Sequence, residues 1–166
     1  AIPFATGADI GRTVDYAIGR HRYIGYLISL ATRSFKDMKV GLDLANGSAT
    51  TVAKGVFDTL GAKTYVINSE PDGTNINTNC GSTHIGRLQK IVREGGYDAG
   101  FAFDGDADRC LAVDNNGDLV DGDYILALMA ENMKQRGALK GNGVVGTILT
   151  NMGFHKFCRD RQMNFI

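Results

Sequence analysis

The sequence predicts an α/β fold with a mixed, mainly parallel sheet, and three observations predict it. Lys39–Leu44, Ala49–Leu60 and Lys63–Ile67 read as strand, helix and strand joined by short connections, the pattern of a parallel, right-handed βαβ unit. Ala99–Phe103 and Cys110–Asp114 are short apolar runs flanking an acidic stretch, which reads as strand, loop, strand. Asn115-Asn116-Gly117-Asp118 then makes a tight hairpin turn toward Leu119-Val120, and that antiparallel turn is what makes the sheet mixed.

Composition narrows the class. The 166 residues are 43% hydrophobic, enough for a core, and eighteen basic residues balance eighteen acidic ones. No global field therefore favours nucleic acid or an anionic membrane. The three cysteines, Cys80, Cys110 and Cys158, are odd in number and far apart, which argues against a disulfide framework and for a reducing compartment. No Cys/His spacing suggests zinc. No apolar run approaches a membrane span and no leader pattern opens the residues given, so the expected setting is soluble and cytoplasmic. Asn46-Gly47-Ser48 matches a glycosylation pattern, but in that setting it reads as a turn.

The elements follow in order. Residues 1–13 have no clear period and read as a linker from a preceding domain. Asp15–Arg33 reads as a helix, with Tyr16, Tyr23, Leu27 and Leu30 on one face and Asp15 as its cap. After the strand Lys39–Leu44, Ser48 is the expected cap of Ala49–Leu60, whose Val52, Val56, Phe57 and Leu60 share a face. Gly61 ends that helix. Parallel sheets bind ligands beyond the carboxyl ends of their strands, and Asn46-Gly47-Ser48 would lie on that edge as a capping turn. Asn68–Thr83 is a long polar loop with Asn68, Asn75, Asn77 and Asn79, and loops of that length are commonly functional. Ser82 or Thr83 is the expected cap of the helix Ile85–Glu94, with Ile85, Leu88, Ile91 and Val92 inward. Cys80 as a nucleophile would need a lowered pKa, which His84 could supply, but no acid/base constellation accompanies it.

Asp121-Gly122-Asp123 precedes the helix Tyr124–Lys134 and reads as its cap rather than as a ligand cluster. Gly137–Gly141 is the expected boundary, dividing a unit at 14–137 from a second at 138–166. Gly141-Asn142-Gly143-Val144-Val145-Gly146 matches a dinucleotide-binding expression, but its glycines enter a strand instead of following one. Val144–Leu149 is that strand, Asn151–Arg161 a helix with Phe154, Phe157 and Cys158 inward, and Met163–Ile166 the start of another strand. The open apolar edge near Val144–Leu149 makes self-association an expectation.

The chemistry is concentrated in Asp104-Gly105-Asp106-Ala107-Asp108-Arg109. Three carboxylates at alternate positions repel one another and call for a cation. Asp oxygens are hard ligands, so Mg²⁺ is the first expectation, with Ca²⁺ or Mn²⁺ behind it. Gly105 and Ala107 have almost no side chain and let the loop curl. An EF-hand would need Gly and Glu where the chain has Arg109 and Asn115. An Asp-x-Asp phosphatase nucleophile would want Thr or Val where Asp108 stands. A solvated acidic turn is the plain alternative. Arg109 reads as a fork for phosphate oxygens beside the metal or as an ion pair to a loop carboxylate. His84, at a helix start, is either structural or part of the site.

Phe103–Arg109 resembles the metal-binding loop of the α-D-phosphohexomutases, and Asn77–His84 resembles their phosphoglucosamine mutase branch, although Ile85-Gly86 departs from the residues usual after that His. The resemblance implies a three-layer α/β/α domain, the second of the family, followed by the start of a third. It implies a segment like Ile10–Tyr26 leading into that second domain. It further implies Mg²⁺ held by Asp104, Asp106 and Asp108, with Arg109 and His84 toward substrate phosphate. The reaction implied moves phosphate between the 6- and 1-positions of a phosphosugar, through a phosphoserine and a bisphosphate intermediate. That serine would lie upstream, so no catalytic residue is expected among these residues, and they alone are expected to lack mutase activity. A phosphomannomutase or phosphoglucomutase, or a non-catalytic metal-binding module, remain the alternatives.

Overall fold

The computed structural model describes residues 2–12 and 14–166. Ala1 and Thr13, within the expected linker, lie outside the described residues. The core of the chain is a five-stranded sheet in the order β2-β1-β3-β4-β5. Its strands are β1 (Lys39–Asp43), β2 (Lys63–Ile67), β3 (Ala99–Phe103), β4 (Cys110–Asp114) and β5 (Leu119–Val120). β1 runs parallel to both β2 and β3, while β4 and β5 turn back antiparallel. The sheet is mixed, with helices on both faces, as the βαβ pattern and the hairpin turn predict.

The two-residue alternation of the strands divides the sheet's side chains between two cores. Val40, Leu42, Phe101 and Phe103 gather on one face with Ala53 and Phe57 of α2 (Ala53–Thr59). On the other face α3 (Gly86–Gly95) sets Leu88 and Val92 against Ala102 and Val113. The same two side chains lie over Gly41 and Gly100. Burying a Leu or Val in this way is worth about 1.5–3 kcal/mol each, so the sheet between the two helices is the rigid platform of the molecule.

Several local expectations change. The helix expected at Ala49–Leu60 opens as a 3-10 turn, Ser48–Thr51, and becomes α-helical only at Ala53. Ser48 makes no capping bond, and its amide donates to the Gly105 carbonyl at 2.8 Å. Gly81–His84 is likewise a 3-10 turn, and neither Ser82 nor Thr83 caps α3. α1 (Ala17–Leu30) is shorter than Asp15–Arg33. Asp15 pairs with the Arg20 guanidinium at 3.3 Å instead of capping it. Tyr16, Tyr23 and Leu30 are exposed, while Ile24, Leu27 and Ile28 are the half-buried stripe.

The C-terminal elements form their own small core. α4 (Gly122–Gln135), β6 (Gly143–Val144), α5 (Met152–Asp160) and β7 (Asn164–Phe165) bring together Leu126, Ala130, Val144, Phe154, Cys158 and Met163. β6 and β7 pair in parallel. The strand expected over Val144–Leu149 therefore ends almost at once. Ile148 and Leu149 are fully or nearly exposed, and a turn closed by the Thr150 amide on the Thr147 carbonyl at 3.0 Å replaces the strand. The expected division near Gly137–Gly141 falls inside this cluster, because α4 packs with the residues that follow it.

Candidate metal centre

The acidic loop closes the β3–β4 hairpin, whose last pair is Phe103 with Cys110. Backbone bonds from the Asp104 amide to the Arg109 carbonyl (3.2 Å) and from the Ala107 amide to the Asp104 carbonyl (3.1 Å) draw it into a tight arch. Ala107 takes a left-handed φ of +61°, which a short side chain tolerates better than a branched one. One carboxylate oxygen from each of Asp104, Asp106 and Asp108 comes within 4.8 Å of the others. The three positions expected to hold a cation are therefore brought together.

They are not equivalent. Asp104 is 2% exposed, and its two oxygens accept from the Arg109 amide (3.0 Å) and from Arg109 Nε (2.7 Å). Burial alone would push its carboxyl up, but those bonds and the guanidinium charge outweigh burial and hold it below the usual range. Asp106 and Asp108 are exposed. The charge of Asp106, and then that of Asp104, pushes the Asp108 carboxyl up. A carboxyl pushed up by its carboxylate neighbours marks a site short of positive charge, and three hard oxygen donors suit a hard divalent cation such as Mg²⁺. The donor set thus fits the metal the sequence suggests.

Arg109 is an ion-pair partner of the loop, to Asp104 and at 3.6 Å to Asp108. Its own guanidinium is held more firmly charged, first by the bond to Asp104. The pairing uses Nε, and the side chain is 68% exposed. His84 is exposed and its Nδ1 lies 3.1 Å from Thr83 Oγ1. Among the described residues no hydrogen bond or ion pair joins His84 to the acidic loop. Cys80 is buried. Burial pushes its thiol up, as does the Asp43 charge, against a smaller opposing effect of Arg87. No acid/base constellation accompanies Cys80 in the sequence, and a buried thiol pushed up in this way does not favour the thiolate.

The platform under the loop is built from residues that the sequence places in a turn and a polar loop, together with Asp43, which sequence reasoning passed over. Gly47 sits so close to the acidic loop that a Cβ on it would come 2.2 Å from the Gly105 carbonyl oxygen. Gly81, at φ +73°, would set a Cβ 2.3 Å from the Phe103 carbonyl oxygen. Ala45, Asn46, Asn68, Asn77 and Asn79 all take left-handed φ values between 49° and 59°. Asn accepts that conformation more readily than most residues, which explains why this edge is rich in asparagine. Asp43, the last residue of β1, is wholly buried. A carboxylate in an otherwise apolar strand is the signal that could have singled it out, since such a group survives burial only with donors around it.

The sequence model described as Phosphoglucomutase/phosphomannomutase, alpha/beta/alpha domain II matches residues 21–117, and the one for alpha/beta/alpha domain III matches residues 121–166. The chain belongs to this family. It is 67% identical over 164 residues to a phosphoglucosamine mutase of Lachnoclostridium phytofermentans, covering 99% of the chain and 37% of that protein. A phosphoglucosamine mutase of Lachnospira eligens is 62% identical over 93% of the chain and 34% of its own length. The chain thus spans little more than a third of these relatives. Among solved structures, a phosphoglucomutase/phosphomannomutase family protein from Burkholderia thailandensis superposes with a TM-score of 0.74 at 23% identity, over 89% of this chain and 32% of that one. An N-acetylglucosamine-phosphate mutase in its apo form gives 0.61 at 20% identity, over 90% and 36%. These two share the fold. The second family match begins at residue 121, consistent with α4 packing among the C-terminal elements.

Proposed function

We propose that this chain is the metal-binding part of a Mg²⁺-dependent phosphoglucosamine mutase, an enzyme that interconverts glucosamine 6-phosphate and glucosamine 1-phosphate. The convergence of Asp104, Asp106 and Asp108 at the carboxyl edge of the sheet carries the reading, and the 67% identity to a protein of that name supports the choice of sugar. In the reaction, a phosphoserine gives its phosphoryl group to the free hydroxyl of the monophosphate. The bisphosphate then returns its other phosphoryl group to the serine. When bound, the cation would neutralise charge on the phosphoryl group in transit.

The chain's own residues hold and orient. Asp104, locked by Arg109, is the fixed wall of the site. Asp106 and Asp108 would supply their carboxylates to the cation from the exposed side. Arg109 would offer its free nitrogens to phosphate oxygens, and His84 would add a further hydrogen bond to phosphate. The serine lies outside the residues that resemble the family's motifs, so we expect cation binding, and no turnover, from these residues alone.

Calorimetric titration of Mg²⁺ into this chain and into Asp106→Asn tests the reading. Binding that the substitution abolishes supports it. Equal binding by both proteins would overturn the three-Asp site. An absence of binding by the unaltered chain, persisting with a phosphoserine peptide present, would overturn it as well.

A further inference from the structure

The acidic loop rests on three other segments, and one buried side chain joins them. Asp43 Oδ1 accepts from the Ala45 amide at 3.1 Å and from Asn68 Nδ2 at 2.9 Å. Its Oδ2 accepts from the Gly81 amide at 3.0 Å. Each donor belongs to a segment at the carboxyl edge of the sheet. Ala45 opens the turn closed by the Gly47 amide on the Leu44 carbonyl at 2.9 Å, and that turn delivers the Ser48 amide to the Gly105 carbonyl. Asn68 follows β2 directly, and its carbonyl accepts from the Asn46 amide at 2.7 Å. Gly81 is pressed against Phe103, the residue before Asp104. Asp43 itself pairs in register with Ala102 of β3. Ala45, Asn46 and Asn68 hold left-handed backbones, which non-glycine residues keep only where their surroundings over-determine them.

We propose that Asp43 is a positioning residue for the metal loop: its carboxylate ties the turn after β1, the end of β2 and the turn at Gly81 into one bed that sets the arch of Asp104–Arg109. This rests on the reading of that loop as a cation site. Asp43 touches neither metal nor substrate. It acts through Ser48 on Gly105 and through Gly81 on Phe103.

Asp43→Asn is the discriminating variant. It keeps an acceptor for Ala45 and Asn68 but turns an NH₂ toward the Gly81 N–H, so that two donors face each other. Val92→Ala, in the core under α3, is the control that costs stability without touching the edge. Mn²⁺ binding to the folded proteins, followed by electron paramagnetic resonance, is expected to weaken at least tenfold in Asp43→Asn and to be unchanged in Val92→Ala. Equal Mn²⁺ affinity in Asp43→Asn and the unaltered chain overturns the inference and leaves the cation site standing. Should the unaltered chain bind no Mn²⁺ even with a phosphoserine peptide present, the site reading falls, and amide hydrogen exchange decides on Asp43 alone. The Ser48 and Arg109 amides are expected to exchange at least tenfold faster in Asp43→Asn while the interior amides of α3 hold. Uniform acceleration, or none, overturns the inference. If Asp43→Asn does not fold, Asn68→Ala removes one tie and leaves two. A two- to fivefold change in the same readings is then expected, and no change overturns.

Discussion

Asp-Gly-Asp occurs twice in this chain, at Asp104-Gly105-Asp106 and at Asp121-Gly122-Asp123, and the two copies come to opposite ends. At the second, Asp121 accepts from the Tyr124 amide at 3.1 Å and Asp123 accepts from the Asn151 amide at 2.9 Å. Both carboxylates are spent on backbone donors, one at the start of α4 and one at the start of α5, where orphan amides and the helix dipole favour an anion. At the first copy a hairpin loop supplies no such helix start. Arg109 takes up Asp104, and among the described residues no backbone amide engages Asp106 or Asp108. The negative charge left on Asp106 and Asp108 is what makes the first copy the candidate cation site, while the second is a pair of helix ties.

The sharpest way to break this contrast is to move the bed under the first copy. Gly47→Ala would drive a methyl into the Gly105 carbonyl. It should cost about 3 kcal/mol, the upper end for overpacking, in a urea melt, and weaken cation binding with it. A cost below about 1 kcal/mol would mean the loop yields easily. Asp106→Asn should lower Mg²⁺ affinity at least tenfold, about 1.4 kcal/mol, with little change in Tm, whereas Asp123→Asn should leave Mg²⁺ affinity as it was. Loss of cation binding on changing Asp123 would erase the distinction. Asp121→Ala should show the converse, about 1 kcal/mol of stability lost with its cap and an unaltered Mg²⁺ titration.

The smallest effects lie within the first copy, and NMR titration of the carboxyl carbons reads them. Asp104 should titrate below, and Asp108 above, the ordinary value of about 3.9. The signs for stability are opposite. The depressed Asp104 adds stability that is present above the unfolded value and lost as pH falls through its folded pKa. The raised Asp108 carries a penalty that is full above its folded pKa and relieved as pH falls through it. Adding Mg²⁺ should move Asp108 downward, and a titration that Mg²⁺ leaves untouched would remove that carboxylate from the ligand set.

Much of the candidate site was legible because its signal is local. The spacing of Asp104, Asp106 and Asp108 places them in one short loop wherever that loop goes, and the apolar runs on either side can hardly be other than a hairpin of strands. The cap at Asp121 was legible for the same reason, since the residues that decide it are three positions apart. The 3-10 turn at Ser48–Thr51 was not. Helical periodicity runs through those residues, but the Gly105 carbonyl, distant in sequence, captures the Ser48 amide. Nor was the loss of the strand at Val144–Leu149, where pairing with β7 lasts only two residues.

By itself, then, the sequence determined the strands, the mixed sheet and the identity of the three carboxylates, because hydrophobic period, turn residues and loop spacing act over a few neighbouring positions. The tertiary structure decided that Asp104 is the buried, paired carboxylate and Asp108 an exposed one, that α4 packs with the C-terminal elements, and that Asp43 gathers three donors at the edge. Those outcomes depend on which groups burial brings within hydrogen-bond reach, and no local pattern encodes a donor that arrives from another strand.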